Sequence, residues 1–284
     1  MRPILGMARQ LSRRMERAER LATANVRVLP DFLVLGAMKA GTTSLFQWLE
    51  EHPSVAEAEV KEPHYFTLYW DKGERWYRAH FPTEVEMGAR RVVRGRVLTG
   101  EATPYTLFHP LAPERVRRTV PTAKLIALLR DPVTRAWSHY RHERRHGREP
   151  LGFLEAIEAE PSRLSGEEDR ILRDPRYVSD AHQRHSYVAR GRYAEQLARW
   201  FRWFGPGQVL CVRSEDLFEE PARVWRQVLD FLELPHEPIK SATNRGAGGG
   251  ERLDHGVAQQ VAARFRDENQ KLEELLKRSM DWTS

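Results

Sequence analysis

The sequence predicts an α/β protein: a P-loop-type parallel sheet flanked by helices. Three observations carry that expectation. Apolar, β-rich runs alternate with stretches of helical periodicity, the pattern of strands laid side by side with helices on the sheet faces. A glycine turn from Gly36 to Gly41 joins the first apolar run directly to a helical pattern. The 284 residues are 40% hydrophobic, with 8 Trp, 8 Tyr and 11 Phe, which is enough for one sizeable core.

The elements follow in chain order. Residues 1–30 are rich in arginine (Arg2, Arg9, Arg13, Arg14, Arg17, Arg20), with Met7, Leu11, Met15 and Ala18 at helical spacing. They predict a basic amphipathic lead-in helix lying on a domain formed by residues 31–284. Membrane-surface contact by that helix is the sharper alternative; Glu16 and Glu19 argue against a transit peptide, which is poor in acids. Asp31–Gly36 reads as a first buried strand, and Thr42–Glu51 as the helix after it, stopping before Pro53. Val97–Glu101 and Lys124–Leu129 are the next strands. Pro132 opens a helix that Asp131 can cap. A long Trp-rich helix over 186–204 precedes a fourth strand at Gln208–Arg213. Residues 161–185, polar and broken by Gly166 and Pro175, read as irregular; Ala247–Gly250 reads as a flexible loop before one last helix bearing Val257, Val261 and Phe265.

Composition narrows the function classes. A single cysteine, Cys211, excludes an internal disulfide framework and any multi-cysteine metal site, and it points to a reducing, cytoplasmic setting. No run of about 18 apolar residues suggests a membrane-spanning helix. The net charge of +6 and pI of about 9.6 invite a nucleic-acid reading. The basic residues are spread along the chain, however, and not interleaved with stacking aromatics, so no nucleic-acid partner is expected. His142 and His146 stand four apart, but they lack the further ligands a metal needs and read as a solvated helix face. Arg141–Arg148 is the densest basic patch.

The chemistry lies in Gly36–Ser44. Glycines let backbone N–H groups approach an anion closely, and the helix N-terminus adds partial positive charge. Gly36 and Gly41 keep the four-residue gap of a P-loop, yet Lys39 lies inside the loop, and Thr42 stands where an ATPase has its lysine. Arg130, closing the strand Lys124–Leu129, offers a guanidinium fork for a phosphate, and Ser138 can add a hydroxyl about two turns into the next helix. Both would sit at the C-terminal edge of the sheet, the ligand side of an open α/β fold. A P-loop kinase or NTPase remains the rival, with Asp131 as its acidic residue; a basic nucleic-acid-binding protein is the lesser one.

These motifs resemble a known family. Lys39-Ala40-Gly41-Thr42-Thr43-Ser44 is similar to the 5′-phosphosulfate loop of sulfotransferases that use 3′-phosphoadenosine 5′-phosphosulfate (PAPS), and Leu129–Tyr140 to their 3′-phosphate motif. Lys61-Glu62-Pro63-His64-Tyr65-Phe66 resembles the catalytic stretch of the heparan-sulfate-type and bacterial branch. Gly100–Tyr105 and the tail at Asp281-Trp282 extend the likeness over roughly residues 31–282. Ala102 departs from it, standing where relatives often carry lysine. The resemblance implies the sulfotransferase fold and PAPS as donor, with no metal required. It also implies a carbohydrate or small-molecule acceptor bearing a hydroxyl or amine. Glu62 would be the base, Lys39 would stabilise the departing phosphate, and His64 would orient the acceptor or share its proton. Lys39 to Ser44 would hold the 5′-phosphate, and Arg130 and Ser138 the 3′-phosphate. Glycosaminoglycan relatives brace a further 3′-phosphate loop with a disulfide; this chain offers only Arg245 or Arg252 there.

Overall fold

A computed structural model describes residues 15–241 and 253–282. Its centre is a five-stranded parallel sheet of order β2-β3-β1-β4-β5, with β1 Phe32–Gly36, β2 Val55–Ala56, β3 Leu98–Glu101, β4 Lys124–Leu129 and β5 Val209–Arg213. Every residue of β1 is buried, as are Leu125 to Leu129 of β4. That is why these segments read as unbroken apolar runs, because helices cover both faces of a parallel sheet. Gly100 sits opposite Phe32, whose ring fills the space a side chain would need.

The helix Thr42–Glu50 follows β1, Pro132–Arg145 follows β4, and Tyr193–Phe201 leads towards β5. As the sequence predicts, Asp131 caps the second of these, its Oδ1 accepting from Thr134 N–H at 2.8 Å. Backbone bonds tie the loops above the sheet to its strands: Leu107 N–H donates to Leu35 O at 2.8 Å, and Ala37 N–H to Leu128 O at 2.7 Å.

Several expectations are corrected. Residues 161–185 are largely helical, in Phe153–Leu164, Glu167–Arg173 and Asp180–Arg184. Pro161 lies inside the first helix, whose inward face (Phe153, Ala156, Ile157, Glu160) holds it in place, and Gly166 marks a junction rather than a loop. The Trp-rich helix begins at Tyr193, not near 186, because Ala189–Gly191 forms a 3₁₀ turn wedged against Phe265 and Pro132. The last helix is two, His255–Ala262 and Arg266–Leu276, with buried Phe265 at the break. The edge strand β2 gave no sequence signal at all. In the lead-in segment, residues 15–22 are helical, but Met15 and Ala18 are exposed. Arginines hold it instead, Arg20 Nε donating to Ala79 O at 2.7 Å and Arg17 stacking over Trp76. The Ala247–Gly250 loop lies outside the described residues.

Candidate functional site

The site forms at the C-terminal ends of β1, β3 and β4. After β1 the chain turns through left-handed conformations at Lys39 (φ 71°) and Gly41 (φ 90°), which points successive N–H groups inward as an anion-binding concavity. Gly41 is needed twice over, since a Cβ there would also meet Leu217 and Phe218 at 3.0 Å. The turn is braced from three sides: Ala40 N–H donates to Ala37 O, Ser214 Oγ to Ala40 O at 2.9 Å, and Arg130 Nη1 to Lys39 O at 2.9 Å. Thr42 and Ser44 are buried, whereas Thr43 is exposed at the rim.

Lys61 joins this turn to the carboxylate. Its ammonium donates to Thr43 Oγ1 at 3.0 Å and to Glu62 Oε1 at 2.8 Å. Glu62 Oε2 lies 3.6 Å from His64 Nε2, and His64 Nδ1 is 3.2 Å from Thr67 Oγ1. The segment is fixed from below, Ala102 N–H at the end of β3 donating to Lys61 O at 2.9 Å. Burial holds the His64 imidazole below its usual pKa, helped by the positive charges of Arg190 and Lys61 and opposed by Glu62, so the ring is neutral at neutral pH. Burial likewise lowers the Lys39 ammonium, with the nearby guanidiniums of Arg145 and Arg130 adding to the effect. Cations thus outnumber carboxylates around the turn, an arrangement that a bound anion would relieve.

Arg130 also donates Nε to Thr134 Oγ1 at 3.2 Å, and its carbonyl accepts from buried Tyr193 OH at 2.9 Å. Ser138 is half-buried one turn beyond Thr134 on the same helix face. Lys39, Glu62, His64, Arg130 and the Thr42–Ser44 hydroxyls therefore come from separate stretches to one sheet edge. Arg245 and Arg252 lie outside the described residues.

Sequence reasoning passed over three residues. Lys61 was visible in its motif, but its contact with Thr43 was not. Glu101, buried at the end of β3, accepts from Tyr77 OH at 2.6 Å and from the Thr103 hydroxyl; burial pushes its carboxyl up to about 7. Arg190 is buried beside the loop, donating to Ser186 Oγ and Gln183 O and lying under the rings of Tyr105 and Phe108; its Nη1 is 3.5 Å from Met38 Sδ. The His142 and His146 rings lie 4.4 Å apart, with His146 Nδ1 turned to the His142 carbonyl at 2.8 Å. Among the described residues no three His, Cys, Asp or Glu side chains converge as metal ligands.

A glycine turn feeding a helix N-terminus, ringed by Lys39, Lys61 and Arg130 and faced by a carboxylate, defines an anion-binding α/β protein of the P-loop type. The chain belongs to the sulfotransferase domain family, whose profile matches residues 29–271. It is similar to the membrane-associated sulfotransferase kil1 of Dictyostelium discoideum, at 28% identity over 89% of this chain and 66% of that protein. It is also similar to heparan sulfate glucosamine 3-O-sulfotransferase 3B1 of Mus musculus, at 33% identity over 74% of this chain and 48% of that one. The chain thus spans about half to two thirds of the length of these curated relatives. Among solved structures, a sulfotransferase from Alicyclobacillus acidocaldarius matches with a TM-score of 0.65 and 30% identity, covering 89% of this chain and 97% of that one. The sulfotransferase fold expected from the sequence, and the family its motifs resemble, are both borne out.

Proposed function

We propose that the chain transfers a sulfuryl group from PAPS to a hydroxyl or amine of a glycan or small-molecule acceptor. One observation supports the reading: Lys61 spans the rim of the anion-binding turn and the Glu62 carboxylate, at 3.0 and 2.8 Å, so the proposed base lies next to the proposed donor site. The acceptor oxygen or nitrogen attacks sulfur in line, the bond from sulfur to the bridging phosphate oxygen breaks, and 3′-phosphoadenosine 5′-phosphate (PAP) leaves. Glu62 takes the acceptor's proton. Lys39 meets the charge growing on the departing phosphate oxygen, and neutral His64 orients the acceptor. Ala40, Gly41, Thr42, Thr43 and Ser44 hold the 5′-phosphate; Arg130 and Ser138 hold the 3′-phosphate. Positioning and fixed positive charge supply the rate, as they do in phosphoryl transfer. Asp131, which a kinase or NTPase reading needs beside Mg²⁺, spends Oδ1 on its helix cap.

A thermal-shift comparison of PAP with ADP tests the reading. A ligand bound only by the folded chain raises its stability by RT ln(1 + [L]/Kd). PAP should therefore stabilise strongly and ADP weakly, and Arg130→Ala should erase most of the difference. Equal shifts for both nucleotides in the wild type would remove the 3′-phosphate site.

A further inference from the structure

Arg190 is a buried cation with no carboxylate of its own. The residue is 3% exposed. Burial pulls its guanidinium down to about 10, which leaves it charged at neutral pH. All its donors go to neutral groups. Nε donates to Ser186 Oγ at 2.8 Å, Nη2 to Gln183 O at 2.7 Å and His182 O at 3.5 Å, and Nη1 to Met38 Sδ at 3.5 Å. The rings of Tyr105 and Phe108 close on it at 4.7 and 5.1 Å. Among the described residues no acidic side chain pairs with it. The carboxylates whose charge reaches it are committed elsewhere, Glu143 to Arg148 Nε at 2.6 Å and Glu160 to the N–H groups of Val188 and Ala189. Arg135, fully buried and with Nε and Nη1 unpartnered, adds a like charge.

Stability alone gives little reason for such a charge. Taking an ion out of water is costly, and close pairing is what offsets it. A cation is favoured at the carbonyl end of a helix, here Asp180–Arg184, but a neutral donor would satisfy the same carbonyls. What remains is a fixed positive charge, weakly screened by its buried surroundings. It lies directly behind the glycine turn, because Met38, which Nη1 touches, immediately precedes Lys39. Beyond the effect of burial, it opposes protonation of His64 beside Glu62 and of His139 on the helix after β4. The rings and carbonyls hold the guanidinium in place, so the charge is set before any ligand arrives.

Resting on the donor reading above, we propose that Arg190 is a positioning residue of the donor site: its buried charge acts through the Met38–Lys39 turn on the anion held there, which is its missing counter-ion. Lys39 and Arg130 are read as touching the donor, whereas Arg190 stays behind the turn.

Calorimetric titration of the full chain with PAP tests this. Arg190→Met removes the charge at similar length, and PAP affinity should fall roughly tenfold or more. Arg190→Lys keeps the charge without the planar fork, and should bind PAP within about threefold of wild type. Melting temperatures taken without ligand report the structural share separately. A Met variant that melts lower yet binds PAP as wild type does overturns the proposal and leaves Arg190 as a cap of Asp180–Arg184. So does a folded Lys variant that loses PAP affinity roughly tenfold, since the fork and not the charge would then be what counts. That second arm decides the matter if the Met variant does not fold. Wild-type protein that binds no PAP removes the donor reading and the proposal with it; wild-type binding matched by both variants removes the proposal alone.

Discussion

Lys61 is the residue on which the proposed donor and acceptor sides meet. Its ammonium touches Thr43 on the glycine turn and Glu62, the proposed base, and it is about a quarter exposed. Charged hydrogen bonds of this kind are worth about 1.5–3 kcal/mol, and partial exposure pulls the figure to the low end. Lys61→Met should therefore cut turnover by about tenfold and weaken PAP stabilisation, while Lys61→Arg keeps most of both. Steady-state rates beside melting curves check this; a Met variant equal to wild type in both would show that the bridge is idle. The reason Lys61 escaped sequence reasoning is physical. Lys39, Glu62 and Arg130 each sit in a local pattern whose chemistry is readable from neighbours. The Lys61–Thr43 contact spans 18 residues and exists because Ala102 pins the Lys61 backbone to β3.

At the scale of elements, legibility tracked burial. β1, β4 and β5 were readable because both faces are covered, so each is a short apolar run between turn signals, while β3 is buried throughout but carries Thr99 and Glu101. The two-residue β2 is too short to carry a period. The helices between 153 and 184 were hidden because Pro161 and Gly166 break the pattern at or near helix ends. Two glycines turn this into a prediction of opposite signs. A Cβ at Gly100 would lie 2.4 Å from the fully buried Phe32 ring, so Gly100→Ala should destabilise by about 1–3 kcal/mol. Gly88, inside Glu84–Arg94, has open space around it; Gly88→Ala should stabilise by about 0.4–1 kcal/mol. Denaturant midpoints decide the matter, and loss of stability in both variants would contradict the packing described at Gly88.

For the whole molecule, buried histidines set the acid limit. Burial holds His109 and His139 well below their usual 6.5 and brings His182 to about 3, with neighbouring arginines adding to each. Below 6.5 the unfolded chain takes up protons that the folded chain refuses, so stability falls with pH, by up to about 1.4 kcal/mol per pH unit for each histidine. Glu101 has the opposite sign. Its raised value of about 7 means that between 4.5 and 7 the folded chain binds the extra proton, and acidification through this group stabilises. Melting temperature should thus drop from about pH 6.5 downward, and Glu101→Gln should steepen the drop. A flat profile would mean that these rings are not held neutral. Such couplings were invisible in the sequence, where the same histidines are scattered from 109 to 182. The central claim is that this fold brings a base to a PAPS site, and Glu62→Gln tests it most directly. Turnover with radiolabelled PAPS should fall by about 10²–10⁴-fold, while the PAP-induced rise in melting temperature stays at the wild-type value. A Glu62→Gln enzyme that keeps more than about a tenth of wild-type turnover would contradict the account.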